Sequence, residues 1–152
     1  MPGKEVKILF KFYSDLLEQE MEETIWANAA DENLGYYQLD SIPFYVAGLA
    51  TDDIVHAEYD DEEEMLVYRT TVKASGNSTV WVVVLKDTTD VNEVRDIFEE
   101  LGCLTDAFND RYFAMEIKAE LNYHLIKDRL NQLKSDATVD YIEACLSANH
   151  QY

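Results

Sequence analysis

"KASGNSTVWVVVLKD", residues 73–87, sets a tight polar stretch directly before one of the most apolar runs in the chain. Two readings compete for Ser75-Gly76-Asn77-Ser78-Thr79. One is chemistry, a nucleophile turn or a phosphate cradle. The other is a hinge that aims the strand behind it. A nucleophile elbow needs G-x-S-x-G between a strand and a helix. Here Ser75 and Ser78 lie between two strand patterns, and no glycine follows Ser78. A phosphate loop needs more glycines, a lysine and a helix N-terminus. A serine nucleophile also needs a base. His56, His124 and His150 each stand alone in their segments, His124 on a helical pattern and His150 in the polar tail. The stretch therefore reads as a turn or bulge in which Gly76 and Asn77 take up positive φ.

The rhythm of the chain changes at this hinge. Before it, "EVKILFKFY" alternates, with Val6, Ile8, Phe10 and Phe12 on one side and Lys7, Leu9 and Lys11 on the other. Further strand patterns follow at residues 22–29, in "LGYYQLDSI", at 54–59 and in "EMLVYRTTVKA", with a bend at Pro43 and Gly48. Five short strands with irregular corners predict a small β-barrel or a curved antiparallel sheet over residues 1–76.

After the hinge, "STVWVVVLK" is a strand. Asp90 caps "VNEVRDIFEELG", with Glu93 at the capping-box position and Gly102 as the stop. "CLTDAF" and "RYFAMEIKA" form a hairpin at Asn109-Asp110. Tyr123, Ile126, Leu130 and Leu133 make one stripe of a second helix, and "TVDYIEACLS" is the last strand. Strand–helix–strand–strand–helix–strand predicts a ferredoxin-like βαββαβ half over residues 77–152, and an α+β fold for the whole. The strand "TVWVVVL" is apolar on both faces. Two helices cover only one face, so the Val80–Val82–Val84 ladder needs the N-terminal strands or a second copy of the chain against it.

Of the 152 residues, 47% are hydrophobic, so a packed core is expected and wholesale disorder is not. No apolar run is long enough to span a membrane and no signal-peptide pattern opens the chain, which predicts a cytoplasmic protein. Cys103 and Cys145 sit in no C-x-x-C, and the topology puts them on opposite edge strands, as two thiols. Charge is the extreme property: 31 acids against 12 bases, a net −19. Acids outnumber bases 17 to 5 in residues 1–75 and 14 to 7 in residues 76–152. Such a field repels nucleic acid and anionic membrane and favours basic partners.

The acids offer two candidate clusters. Asp52 and Asp53 in "TDDIV" read as a metal pair or as a turn holding its own backbone, and the turn is favoured; both are also lesser candidates for contact with a partner. "YDDEEE" lacks the alternation and central glycine of a calcium loop. Its Asp60, Asp61, Glu62, Glu63 and Glu64 read as a solvated hairpin tip or as an anionic patch for a basic protein. Tyr36, Tyr37 and Phe44 are the aromatic contact candidates near these loops. No catalytic residue, metal site or cofactor is expected.

"VKILFKF" (6–12), "EETIWANAADENLGYYQLDSIPFYVAGLATDDIVHAEYD" (22–60) and "YRTTVKASGNSTVWVVV" (68–84) together resemble the bacterial domain of unknown function 4265 family. The pattern is a strand, Trp26-Ala27, "L-x-x-I-P-F" from Leu39, Gly48, "D-x-V" from Asp53, then "SGNST". That resemblance implies no chemistry and no residue roles. Several small bacterial proteins of this kind resemble immunity proteins, which neutralise a toxin made by the same cell. The expected function is accordingly a non-enzymatic immunity protein occluding a cognate basic toxin. The rival is a small-molecule-binding regulatory domain, or an enzyme with a cleft between the halves.

Overall fold

The computed structural model describes residues 5–15 and 17–151. The chain divides into two compact units, Met1–Ser75 and Gly76–Tyr152.

The first unit is built from β1 (Glu5–Ser14), β2 (Gln19–Asp31), β3 (Tyr36–Leu39), β4 (Ile54–Asp60) and β5 (Met65–Lys73). Successive strands pair antiparallel, and β1 also runs parallel to β5 through Ile8–Leu66 and Leu9–Val67. That last pairing closes the barrel. Alternation decides what goes inside: Ile8 and Phe10 of β1, Ile25 and Ala27 of β2, and Val55 and Ala57 of β4 form one buried cluster. The β3–β4 connection adds Val46 and Leu49 to it. Glu23, on the inward-facing row of β2, holds that connection. Its carboxylate accepts the backbone N–H groups of Phe44 at 2.7 Å and of Tyr45 and Val46 at 2.9 Å.

The second unit runs β6 (Ser78–Val84), α1 (Val91–Glu100), β7 (Leu104–Ala107), β8 (Tyr112–Ile117), α2 (Tyr123–Ser135) and β9 (Val139–Cys145), and a short 3-10 turn follows at Ala148–His150. Its sheet has the order β7-β8-β6-β9, all antiparallel, with β6 and β8 at the centre. Asp90 caps α1 by accepting the Asn92 N–H. Gly102, at φ +101°, ends it: its N–H reaches the Glu99 carbonyl and the Cys103 N–H reaches Phe98, the Schellman pattern. Asn122 caps α2 through the His124 N–H.

Val80, Val82 and Val84 are buried, but their cover differs from the expectation. They share one cluster with Val94 and Phe98 of α1 and with Tyr123, Ile126 and Leu130 of α2. The helices lie on the valine face, so the ladder needs neither the N-terminal strands nor a second copy. Strand alternation put three valines on one face without saying which face the helices take.

β7 and β9 are opposite edges of this sheet, roughly 14 Å apart at ~4.8 Å per strand. Cys103 and Cys145 are correspondingly two thiols rather than a disulfide. Burial, with the Glu116 carboxylate adding to it, pushes the Cys103 thiol up to about 12, whereas Cys145 is only half-buried. Since the thiolate is the reactive form, a thiol reagent at mildly alkaline pH should modify Cys145 well before Cys103 in the native protein. Equal labelling rates would contradict that environment. The raised Cys103 value also fixes a sign. The stability that it contributes is complete below its ordinary value near 9 and is lost as pH climbs towards 12.

Candidate functional site

The hinge before β6 is a clip. Ser75 lies on the barrel side. Its N–H donates to Asp53 Oδ1 at 2.9 Å and its hydroxyl donates to the Thr51 carbonyl at 2.8 Å. Gly76 takes the left-handed conformation at φ +93°. Asn77, expected to share it, does not; instead its Oδ1 accepts the Ala119 N–H at 3.0 Å. Ser78 and His150 are both buried, at 0% and 2% exposure, and Ser78 Oγ lies 2.6 Å from His150 Nδ1. This corrects the expectation that His150 stands alone in a polar tail.

The tautomer follows from the partners. The Lys118 carbonyl, 3.0 Å from Nε2, only accepts, so Nε2 carries the hydrogen and Nδ1 accepts from the Ser78 hydroxyl. Ser78 Oγ in turn accepts the Ser147 N–H at 2.9 Å. The chain Ser147 N–H, Ser78 O–H, His150, Lys118 carbonyl ties the turn after β9 to the ends of β6 and β8. Every side-chain polar atom of the pair is hydrogen-bonded, Ser78 Oγ and His150 Nε2 to backbone and Nδ1 to Ser78, and both side chains are shut from solvent.

The two acidic clusters lie at opposite ends of β4, about 20 Å apart at ~3.3 Å per residue. Asp53 is 3% exposed, and its carboxylate accepts the Ala50 and Ser75 N–H groups at 3.0 and 2.9 Å. It holds its own turn, and its candidacy as a contact residue is withdrawn. Asp52, at φ +68°, is half-buried in that turn. Tyr37 is likewise withdrawn, because it packs into the barrel core at 9% exposure. Phe44 is half-buried on the connection that Glu23 holds. Tyr36 is half-buried beside His56, ring centroids 6.1 Å apart and nearly perpendicular.

Asp60 to Glu64 form the β4–β5 hairpin tip. Asp60 Oδ1 accepts the N–H groups of Glu62 at 2.8 Å and Glu63 at 3.2 Å. Those bonds, Glu63's first, hold its carboxyl below the usual range. Glu64 adopts φ +56° to close the turn. Asp61, Glu62 and Glu64 are exposed.

The tip does not stand alone, which the sequence reading missed. The outward rows of β1 and β2 pair Lys11 with Glu22 and Tyr13 with Glu20. Lys11 also forms an ion pair with Glu63. The Glu63 hydrogen bond comes first, with the charges of Glu63, Glu22 and Asp60 adding, in raising the Lys11 ammonium above its ordinary value. Two acid runs forty residues apart in sequence thus converge around Lys11. Exposed rings flank them: Tyr13 at 57% and Tyr59 at 62%. Alternation in "QEMEET" put Glu20 and Glu22 on one face. Only the β1–β2 register sets that face beside the tip.

A closed five-stranded barrel with an acidic, tyrosine-flanked end, joined in sequence to a helix-backed four-stranded sheet, defines a two-unit α+β protein. The chain belongs to the family described as domain of unknown function 4265, whose model matches residues 23–141. It is similar to a hypothetical protein from Neisseria gonorrhoeae of known crystal structure. The two share 28% identity over 95% of this chain and 96% of that one, with a TM-score of 0.80. No curated protein matches the chain. Among the described residues, no helix is long and apolar enough to cross a membrane.

Proposed function

We propose that this protein is a non-enzymatic binding protein of the immunity type, which neutralises a basic protein toxin by occlusion. The observation that carries it is the convergence of Glu22, Asp60 and Glu63 on Lys11, which joins the Glu20–Glu22 row to the Asp60–Glu64 tip, with Tyr13, paired with Glu20, and Tyr59 exposed. Such a surface attracts a basic partner at long range, and amphipathic rings supply contact area once it arrives. On this reading the protein works in the cytoplasm, where its toxin is made. The second unit is a ferredoxin-like module, supported by the β7-β8-β6-β9 order and by one core shared with both helices.

The test is genetic. The product of the neighbouring reading frame should arrest growth when expressed alone, and this chain should relieve the arrest. Arrest that this chain does not relieve contradicts the reading.

One observation favours a second reading. A recess of about 300 Å³ in the barrel unit brings together Gln38, Asp52, Lys73 and Ser75. Polar groups converging on a recess of that size suit a small charged molecule. Thermal stabilisation by a zwitterionic metabolite, lost in Lys73→Ala, would favour it over the toxin reading.

A further inference from the structure

We propose that the groove between α1 and α2 docks a basic amphipathic helix of a partner protein through an apolar anchor. The groove measures about 450 Å³ and is lined by Ile97, Glu100 and Leu101 of the α1 end, and by Leu125, Asp128 and Arg129 of α2. Its apolar residues fall at helical spacing. Ile97 and Leu101 are four apart, half-buried, and pack on the core below. Leu125 is 60% exposed, although the core stripe of α2 is already complete in Tyr123, Ile126, Leu130 and Leu133. It is therefore the side chain in this groove that the fold itself does not use.

The occupant follows from charge. Glu100 and Asp128 line the groove from opposite helices, and Arg129, bonded to Gln132 at 3.0 Å in the same lining, offsets only one of these two charges. Glu93 and Asp96 extend the acidic side of α1, and both are exposed. A second copy of the chain would bring the same acids and the same −19 net charge to the contact, and an anionic membrane would be repelled. A helix with an apolar stripe and flanking lysines or arginines matches both features, in the helix-in-groove manner. This surface rests on the binding reading above and names a second contact for it. It does not depend on the barrel tip.

A short synthetic leucine–lysine amphipathic helix is the probe, with a scrambled peptide of the same composition as control. Amide chemical shifts on titration should move at Ile97, Leu101 and Leu125. Leu125→Ser should weaken binding about tenfold or more, because a buried leucine anchor is lost. Its melting temperature should stay unchanged, since the side chain is exposed in the free protein. Combined Glu100→Gln and Asp128→Asn should weaken binding roughly threefold, as expected for rim charges. Shifts confined to Asp60–Glu64, or equal binding of the scrambled peptide, would overturn the groove while leaving the binding reading in place. Failure of the probe to bind anywhere would overturn the groove and count against the binding reading as well.

Discussion

Val82→Asp should unfold the helix-backed sheet. Val82 is 0% exposed on the central strand β6, opposite Phe113 on one side and Tyr141 on the other, and shares its cluster with both helices. An aspartate there loses the valine's burial, about 1.5–3 kcal/mol. It also leaves a carboxylate without a counter-charge in an apolar core, which costs about 3–5 kcal/mol when a buried charge lacks its partner. The sum, about 4.5–8 kcal/mol, is about a third or more of a typical domain stability of roughly 5–15 kcal/mol and exhausts the lower part of that range. Leu85→Asp, one residue beyond the strand and 52% exposed, is the control and should stay within about 0.5 kcal/mol of wild type. Chemical denaturation of both variants checks the assignment. A Val82→Asp protein that unfolds at the wild-type midpoint would show that the valine face is not the core face.

His150→Ala should have the next largest effect, a loss of about 2–4 kcal/mol. The substitution leaves the buried Ser78 hydroxyl without its acceptor and takes one of its donors from the Lys118 carbonyl, which keeps the Leu121 N–H. It also removes a ring packed 5.6 Å from Tyr123. Ser78→Ala should cost about 1–3 kcal/mol, because the Ser147 N–H and His150 Nδ1 both lose their partner. Since the two side chains act as one clip, the double variant should lose less than the two single losses combined. Strict additivity would contradict the clip. A nucleophilic serine makes the opposite prediction to a clip for chemistry: a fluorophosphonate probe should not label Ser78 in the native protein.

The elements were legible in the sequence because their signals are local. The cap at Asp90, the stop at Gly102 and the stripe of Tyr123, Ile126, Leu130 and Leu133 each depend on neighbours within a turn or two. Each stands where its pattern put it. Strand alternation likewise sorted Ile8 and Phe10 from Lys7 and Lys11. What the sequence hid depends on register and on contacts across long separations. Ser78 meets His150 only because β9 pairs with β6 and the chain then turns back. The turn that Asp53 holds was legible in "TDDIV", but its reach to the Ser75 N–H was not, and nothing local reveals that the Tyr37 ring fills a barrel. Glu20 and Glu22 joined the acidic tip only through the hairpin register that sets Glu22 across from Lys11.

The acidic end of the barrel is the centre of the functional account, and its charge should act first on the rate of encounter. Salt screens such steering over ~8 Å at physiological ionic strength, so association with the proposed toxin should slow as salt rises. The decisive measurement is that association rate at low and at physiological salt, for wild type and for a variant with Asp60, Asp61, Glu62, Glu63 and Glu64 changed to Asn or Gln. The account predicts slower association and a flatter salt dependence for the variant, with the fold kept, because the tip is largely solvent-exposed. An unchanged rate and an unchanged salt slope would contradict it and leave the tip a solvated turn.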